Sequence, residues 1–101
     1  MGLTVFNRDS VLEELRVLKP DLENRFGVTR IGLFGSVARD DARSDSDIDI
    51  VIEMKRPDLF DLVHIKELLE EDFQRPVDII HFRERMNEFL KQRIRNEAVY
   101  V

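Results

Sequence analysis

Cysteine is absent from these 101 residues, so neither a disulfide framework nor a thiolate zinc site can form. Histidine is scarce. His64 and His81 stand without metal-ligand spacing, and each reads as a structural or surface residue. Glycine and proline number only four and three in a chain that is 43% hydrophobic, which excludes a disordered polymer and predicts a real core. No apolar run approaches the roughly 20 residues that a membrane-spanning helix needs. No signal peptide is visible, and Met1-Gly2 would suggest myristoylation only with Ser or Thr at position 6, which is Phe6. The expected location is cytoplasmic. A net charge of −5 argues against a dedicated nucleic-acid binder, because phosphate contacts supply most of that affinity. Repeats and linkers are missing too, and the length suits one domain spanning 1–101. The charge is uneven, since Arg83, Arg85, Lys91, Arg93 and Arg95 make the C-terminal stretch basic. That stretch reads as a solvated face, with partner docking or contact with a triphosphate as the alternative.

What is present reads as alternating helices and strands. Ser10 with Glu13 forms a capping-box pattern ahead of the amphipathic run Val11, Leu12, Leu15, Leu18. Pro20 is expected to kink or restart that helix, and Gly27 to stop it after Phe26. A strand is predicted over 28–34, then a short helix over 37–41 capped by Ser36, then a polar loop over 43–46. A second strand follows over 47–53. Pro57 and Asp58 open a helix whose apolar face is Leu59, Leu62, Val63, Leu69 and Phe73. Pro76 precedes a third strand over 77–82. Met86, Phe89, Leu90 and Ile94 mark a last helix, and 98–101 suits a short final strand. The fold class is α/β, an α+β two-layer arrangement with a small mixed sheet covered by helices.

The chemistry concentrates in two short strings. Gly32-Leu33-Phe34-Gly35-Ser36-Val37-Ala38-Arg39 is followed by an acidic loop and then Asp47-Ile48-Asp49. In a strand, residues two apart share a face, so Asp47 and Asp49 point one way and Ile48, Ile50 and Ile52 point to the core. Two carboxylates on one face repel unless a cation lies between them, and Mg²⁺ commonly takes one or two carboxylates plus phosphate oxygens. Gly35 lets backbone approach a phosphate, Ser36 supplies a hydroxyl and N–H groups, and Arg39 is one turn away. A third aspartate, Asp78, opens the strand after the long helix. If the first two strands are antiparallel and the second and third parallel, all three aspartates gather at one sheet edge beside Gly35-Ser36.

Other motifs fail. Asp45, Asp47 and Asp49 mimic the start of a calcium loop, but its required glycine is Ile50 and its closing glutamate is Arg56. No Gly-Lys-Ser/Thr phosphate loop exists, and Gly35-Ser36 lacks the flanks of a serine-hydrolase elbow.

At Gly35, Ser36, Asp47, Asp49 and Asp78 the chain resembles the DNA polymerase β-like nucleotidyltransferase superfamily. The strings Phe34-Gly35-Ser36-Val37-Ala38-Arg39 and Ser44-Asp45-Ser46-Asp47-Ile48-Asp49 are similar to those of its minimal nucleotidyltransferases. Asp40 departs from the pattern, because many relatives carry glycine after the arginine. The resemblance implies that Asp47 and Asp49 bind two Mg²⁺ ions, with Mn²⁺ as an alternative, and that Asp78 binds the one activating the acceptor. It implies AMP transfer from ATP to a hydroxyl, with Asp78 as proton acceptor and Gly35, Ser36 and Arg39 on the β- and γ-phosphates. It also implies a helical HEPN ribonuclease toxin as partner, adenylylated on tyrosine by this chain as antitoxin. An antitoxin acting by contact alone, or an adenylyltransferase for a small molecule, are the other readings.

Overall fold

The computed structural model describes residues 5–41 and 46–101. Its elements run α1 (Arg8–Phe26), β1 (Val28–Phe34), α2 (Gly35–Ala38), β2 (Ile48–Met54), α3 (Leu59–Phe73), β3 (Val77–His81), α4 (Glu88–Glu97) and β4 (Val99–Tyr100).

Helix α1 begins earlier than the Ser10–Glu13 pattern predicts. Asn7 is the cap: its side chain accepts from the Ser10 N–H at 2.8 Å, and the Ser10 hydroxyl accepts from the Asn7 N–H at 3.2 Å. Ser10 thus takes the reciprocal role that Glu13 was expected to fill. Pro20 does not end the helix. Leu22 beyond it is buried like Val11, Leu12 and Leu15 before it, so one apolar stripe spans the lost N–H bond. Gly27 stops α1 in the left-handed conformation, at φ 70°.

In α3 the Asp58 carboxylate caps the Phe60 and Asp61 N–H groups. Its buried residues are Ile65, Leu69 and Phe73, with Leu62 packed beside them. Leu59 and Val63, expected on that face, are 78% and 51% exposed. The helix carries apolar residues on more than one side, and the sheet accepts the stripe at 62, 65, 69 and 73. Likewise Phe89 of α4 is 75% exposed, while Ile94 is buried. Asn87 caps that helix, which leaves Met86 in the segment before it. Lys91, counted in the basic stretch, is only 6% exposed; its ammonium donates to the Glu84 carboxylate at 2.8 Å and the Glu84 carbonyl at 3.2 Å. It pins residues 82–87 rather than contributing to a basic surface.

The sheet order is β3-β2-β1-β4. Strand β1 runs antiparallel to both β2 and β4, and β2 runs parallel to β3 across the α3 crossover. Ile48, Ile50, Ile52 and Met54 of β2 join Val28, Ile31 and Leu33 of β1 in the main core against α1 and α3. The alternate face carries a smaller cluster of Phe34, Val51 and Ile94, so α4 covers part of the opposite side. Among the described residues no helix is long and apolar enough to cross a membrane.

Strand β4 docks where β1 has no side chain. A Cβ on Gly32 would lie 2.8 Å from the Val99 carbonyl oxygen and 2.9 Å from the Tyr100 ring. Gly32→Ala is therefore expected to cost about 1–3 kcal/mol, with hydrogen exchange at 99–101 rising as β4 lifts. Urea unfolding together with exchange at those amides checks it; an unchanged midpoint with protected amides would contradict the docking.

Candidate active site

Side-chain alternation decides which residues meet. In β2, Asp49 shares its face with Val51 and so points to the α4 side, away from the main core. Asp49 lies in register with Phe34, the last residue of β1, and with Asp78 of β3. The end of one strand and the starts of two others therefore converge at one sheet edge, as the shared-site argument requires. Asp47 stands immediately before β2 and is exposed.

Gly35 follows Phe34 with φ +75°, a conformation L side chains rarely adopt. A Cβ there would collide with the Asp49 carboxylate oxygen and lie 3.2 Å from its Cγ. The missing side chain is the space Asp49 occupies. Ser36 lies inside α2 rather than capping it: the cap position is Phe34, without a side-chain bond. The helix is one turn, shorter than the predicted 37–41, so its dipole is small. The Ser36 carbonyl accepts from the Asp41 N–H at 3.0 Å, while its hydroxyl makes no hydrogen bond among the described residues.

The electrostatics are those of crowded acids. Burial pushes the Asp49 carboxyl above the usual aspartate range, and the negative charges of Asp78 and Asp47 push it further. Arg39 opposes them. The closeness of the Asp49 and Asp78 side chains favours the protonated form of Asp49. Among the described residues no group of three acid, imidazole or thiol side chains is arranged to hold a metal ion unaided. The donor set is nonetheless hard oxygen throughout, and Asp49 with Asp78 provides two carboxylates whose repulsion a divalent cation would relieve. That set fits an ion completed by phosphate oxygens and water.

Arg39 is near enough to act on Asp49, but its guanidinium is committed. It contacts Asp41 at 3.3 Å and Glu97 at 3.4 Å, and Glu97 also accepts from Arg93 at 3.1 Å. The sequence reading placed Arg93 in the basic C-terminal stretch, but it did not join Arg93 and Glu97 to Arg39. Glu97 is 58 residues from Arg39, and no local pattern links the two. Asp40 adopts φ 60°, and its carboxylate accepts from the Arg8 N–H at 3.4 Å. A left-handed position explains why glycine would suit it and why an aspartate is tolerated. Of the loop expected over 43–46, residues 43–45 lie outside the described residues. His64 is exposed, 6.5 Å from the Phe26 ring, and His81 pairs with Ile52, well along the sheet from Asp49.

The profile of the nucleotidyltransferase domain family matches residues 15–101. Protein adenylyltransferase MntA of Thermococcus cleftensis is 34% identical over 95 residues, covering 89% of this chain and 95% of that protein. A solved structure assigned as a minimal nucleotidyltransferase superposes with a TM-score of 0.78 at 28% identity, covering 96% of this chain and 98% of that one. A toxin–antitoxin crystal structure with AMP-PNP superposes with a TM-score of 0.69 at 22% identity, covering 94% and 72%. The last shares the fold; the first two share sequence over nearly the whole chain. With Gly35 packed on Asp49 and Asp49 in register with Asp78, the same mixed sheet and the family profile agree, and the chain belongs to the nucleotidyltransferase domain family and is a nucleotidyltransferase.

Proposed function

We propose that this chain is a magnesium-dependent protein adenylyltransferase that moves AMP from ATP to a tyrosine hydroxyl of a partner protein, as the antitoxin paired with a helical HEPN-type ribonuclease. The observation that carries the chemistry is the in-register pair Asp49 and Asp78, crowded together beside the side-chain-free Gly35. The protein acceptor is supported by the name of the Thermococcus relative, and the toxin partner by the toxin–antitoxin neighbour.

In this reading Asp47, Asp49 and Asp78 hold two divalent ions. Bound there, the ions neutralise phosphate charge and favour loss of the acceptor proton. Gly35 and Ser36 bind the β- and γ-phosphates through backbone N–H groups and the serine hydroxyl. Arg39 exchanges its contacts with Asp41 and Glu97 for a phosphate oxygen. Asp78 is exposed, so its carboxylate can accept the tyrosine proton. The tyrosine oxygen bonds to the α-phosphorus, the bridge to the β-phosphate breaks, and pyrophosphate leaves.

Intact-mass spectrometry of the co-expressed partner tests this. Wild type is expected to add AMP to the partner, and Asp78→Asn to bind it without adding AMP. A partner that is fully inhibited by wild type yet carries no AMP would overturn the enzymatic reading in favour of neutralisation by contact.

A further inference from the structure

Helices α1 and α3 do not close on each other. Between them lie two cavities of about 310 and 200 Å³ that share Leu68 and Glu71 and so form one groove. Leu18, Leu22, Leu68 and Leu69 line the larger cavity. Along α1 the groove follows Leu18, Asp21, Leu22 and Arg25, the i, i+3, i+4, i+7 row of one helix face. Glu14 precedes that row by one turn. From Glu14 to Arg25 the row is roughly 16 Å long at about 1.5 Å per residue, three turns of helix.

The rim is acidic. Asp21, Glu71 and Asp72 line the larger cavity and Glu67 the smaller, against the guanidinium of Arg25. Arg25 is already paired with Asp21 at 3.2 Å and stacked over Phe26. One turn before the groove, Glu14 of α1 lies close to Asp72 of α3, acid beside acid across the two helices. Burial, Asp72 and Glu13 all push the Glu14 carboxyl up, and no cation opposes them. An apolar floor between rows of carboxylates is the complement of an apolar ridge flanked by ammonium or guanidinium groups.

We propose that this groove docks a basic amphipathic helix of the acceptor protein. The proposal rests on the reading that the acceptor is a protein. The groove lies on the α1/α3 side of the sheet, whereas Asp49 points to the α4 side. Docking therefore leaves the nucleotide face open, and the acceptor hydroxyl reaches it around the sheet edge. A partner would be held by one surface and modified at another, so the docking contact could persist after AMP is added.

The test uses a fluorescein-labelled leucine–lysine peptide of about four helical turns, with leucines at i, i+3, i+4 and i+7, against the intact chain without nucleotide. A scrambled peptide of the same composition and a leucine–glutamate twin are the controls. The patterned basic peptide is expected to bind with methyl NMR shifts at Leu18, Leu22 and Leu68, and the scrambled one at least about tenfold more weakly. Asp21→Lys with Glu71→Lys should weaken binding by about tenfold or more; Leu68→Ser, which leaves the charges in place, should do the same. Equal binding of the scrambled peptide, indifference to both variants, or shifts centred on the exposed Leu59, Phe60 and Val63 would overturn the proposal. Because no nucleotide is present, a failure here is separate from a failure to transfer AMP.

Discussion

Gly35→Ala is expected to lower AMP transfer about a hundredfold, the scale of loss when a reacting group moves by about 1 Å. The added methyl occupies the position of the Asp49 carboxylate oxygen, so the carboxylate must leave the place it holds beside Gly35. The substitution also strains the backbone at φ +75°, which costs about 1–3 kcal/mol. These two effects can be separated inside the same molecule. Gly27 has nearly the same φ, +70°, and a Cβ there would meet nothing within 4 Å. Gly27→Ala should therefore lose comparable stability and keep full transfer per folded molecule. Equal activity of the two variants would show that Gly35 serves the backbone alone.

Asp49→Asn is expected to abolish transfer, by about a hundredfold or more, the range seen when one group stabilising transition-state charge is removed. In chelator it should nonetheless raise the melting temperature at neutral pH. The raised pKa of Asp49 means that the folded state favours its protonated form. A carboxyl of this kind contributes full stability below the unfolded value, near 3.9, and loses it as pH rises through the folded value. At neutral pH the charged form is thus a cost that the amide removes. The gain should shrink as the pH falls toward about 4 and vanish below it. Melting curves of both proteins across that range decide the matter, and a variant less stable than wild type at neutral pH would contradict the crowded-acid account.

Much of this was legible before any coordinates. The run 28–34 is rich in β-branched and apolar residues between Gly27 and Gly35, and β1 has those same bounds. The mixed sheet followed from asking Ser36, Asp47 and Asp78 to share an edge, and the strands pair that way. The capping residues were less legible. Asn7 and Ser10 are both good caps, and only the chain entering from residue 5 chooses between them. The outward positions of Leu59, Val63 and Phe89 depend on where the sheet lies beneath their helices, which periodicity does not encode. The Arg39–Glu97 contact was invisible for the same reason: it joins two elements that meet only in the folded chain.

The pairing of Asp49 with Asp78 has one more consequence. Strand β2 feeds the core with Ile48, Ile50 and Ile52 and the site with the residue between the first two. Sliding β2 by a single position would expose the isoleucines and bury the aspartate. No misaligned arrangement can keep the chemistry while giving up the packing. Specific activity in a refolded sample is therefore a count of correctly threaded molecules, and chains trapped in any other alignment are catalytically silent.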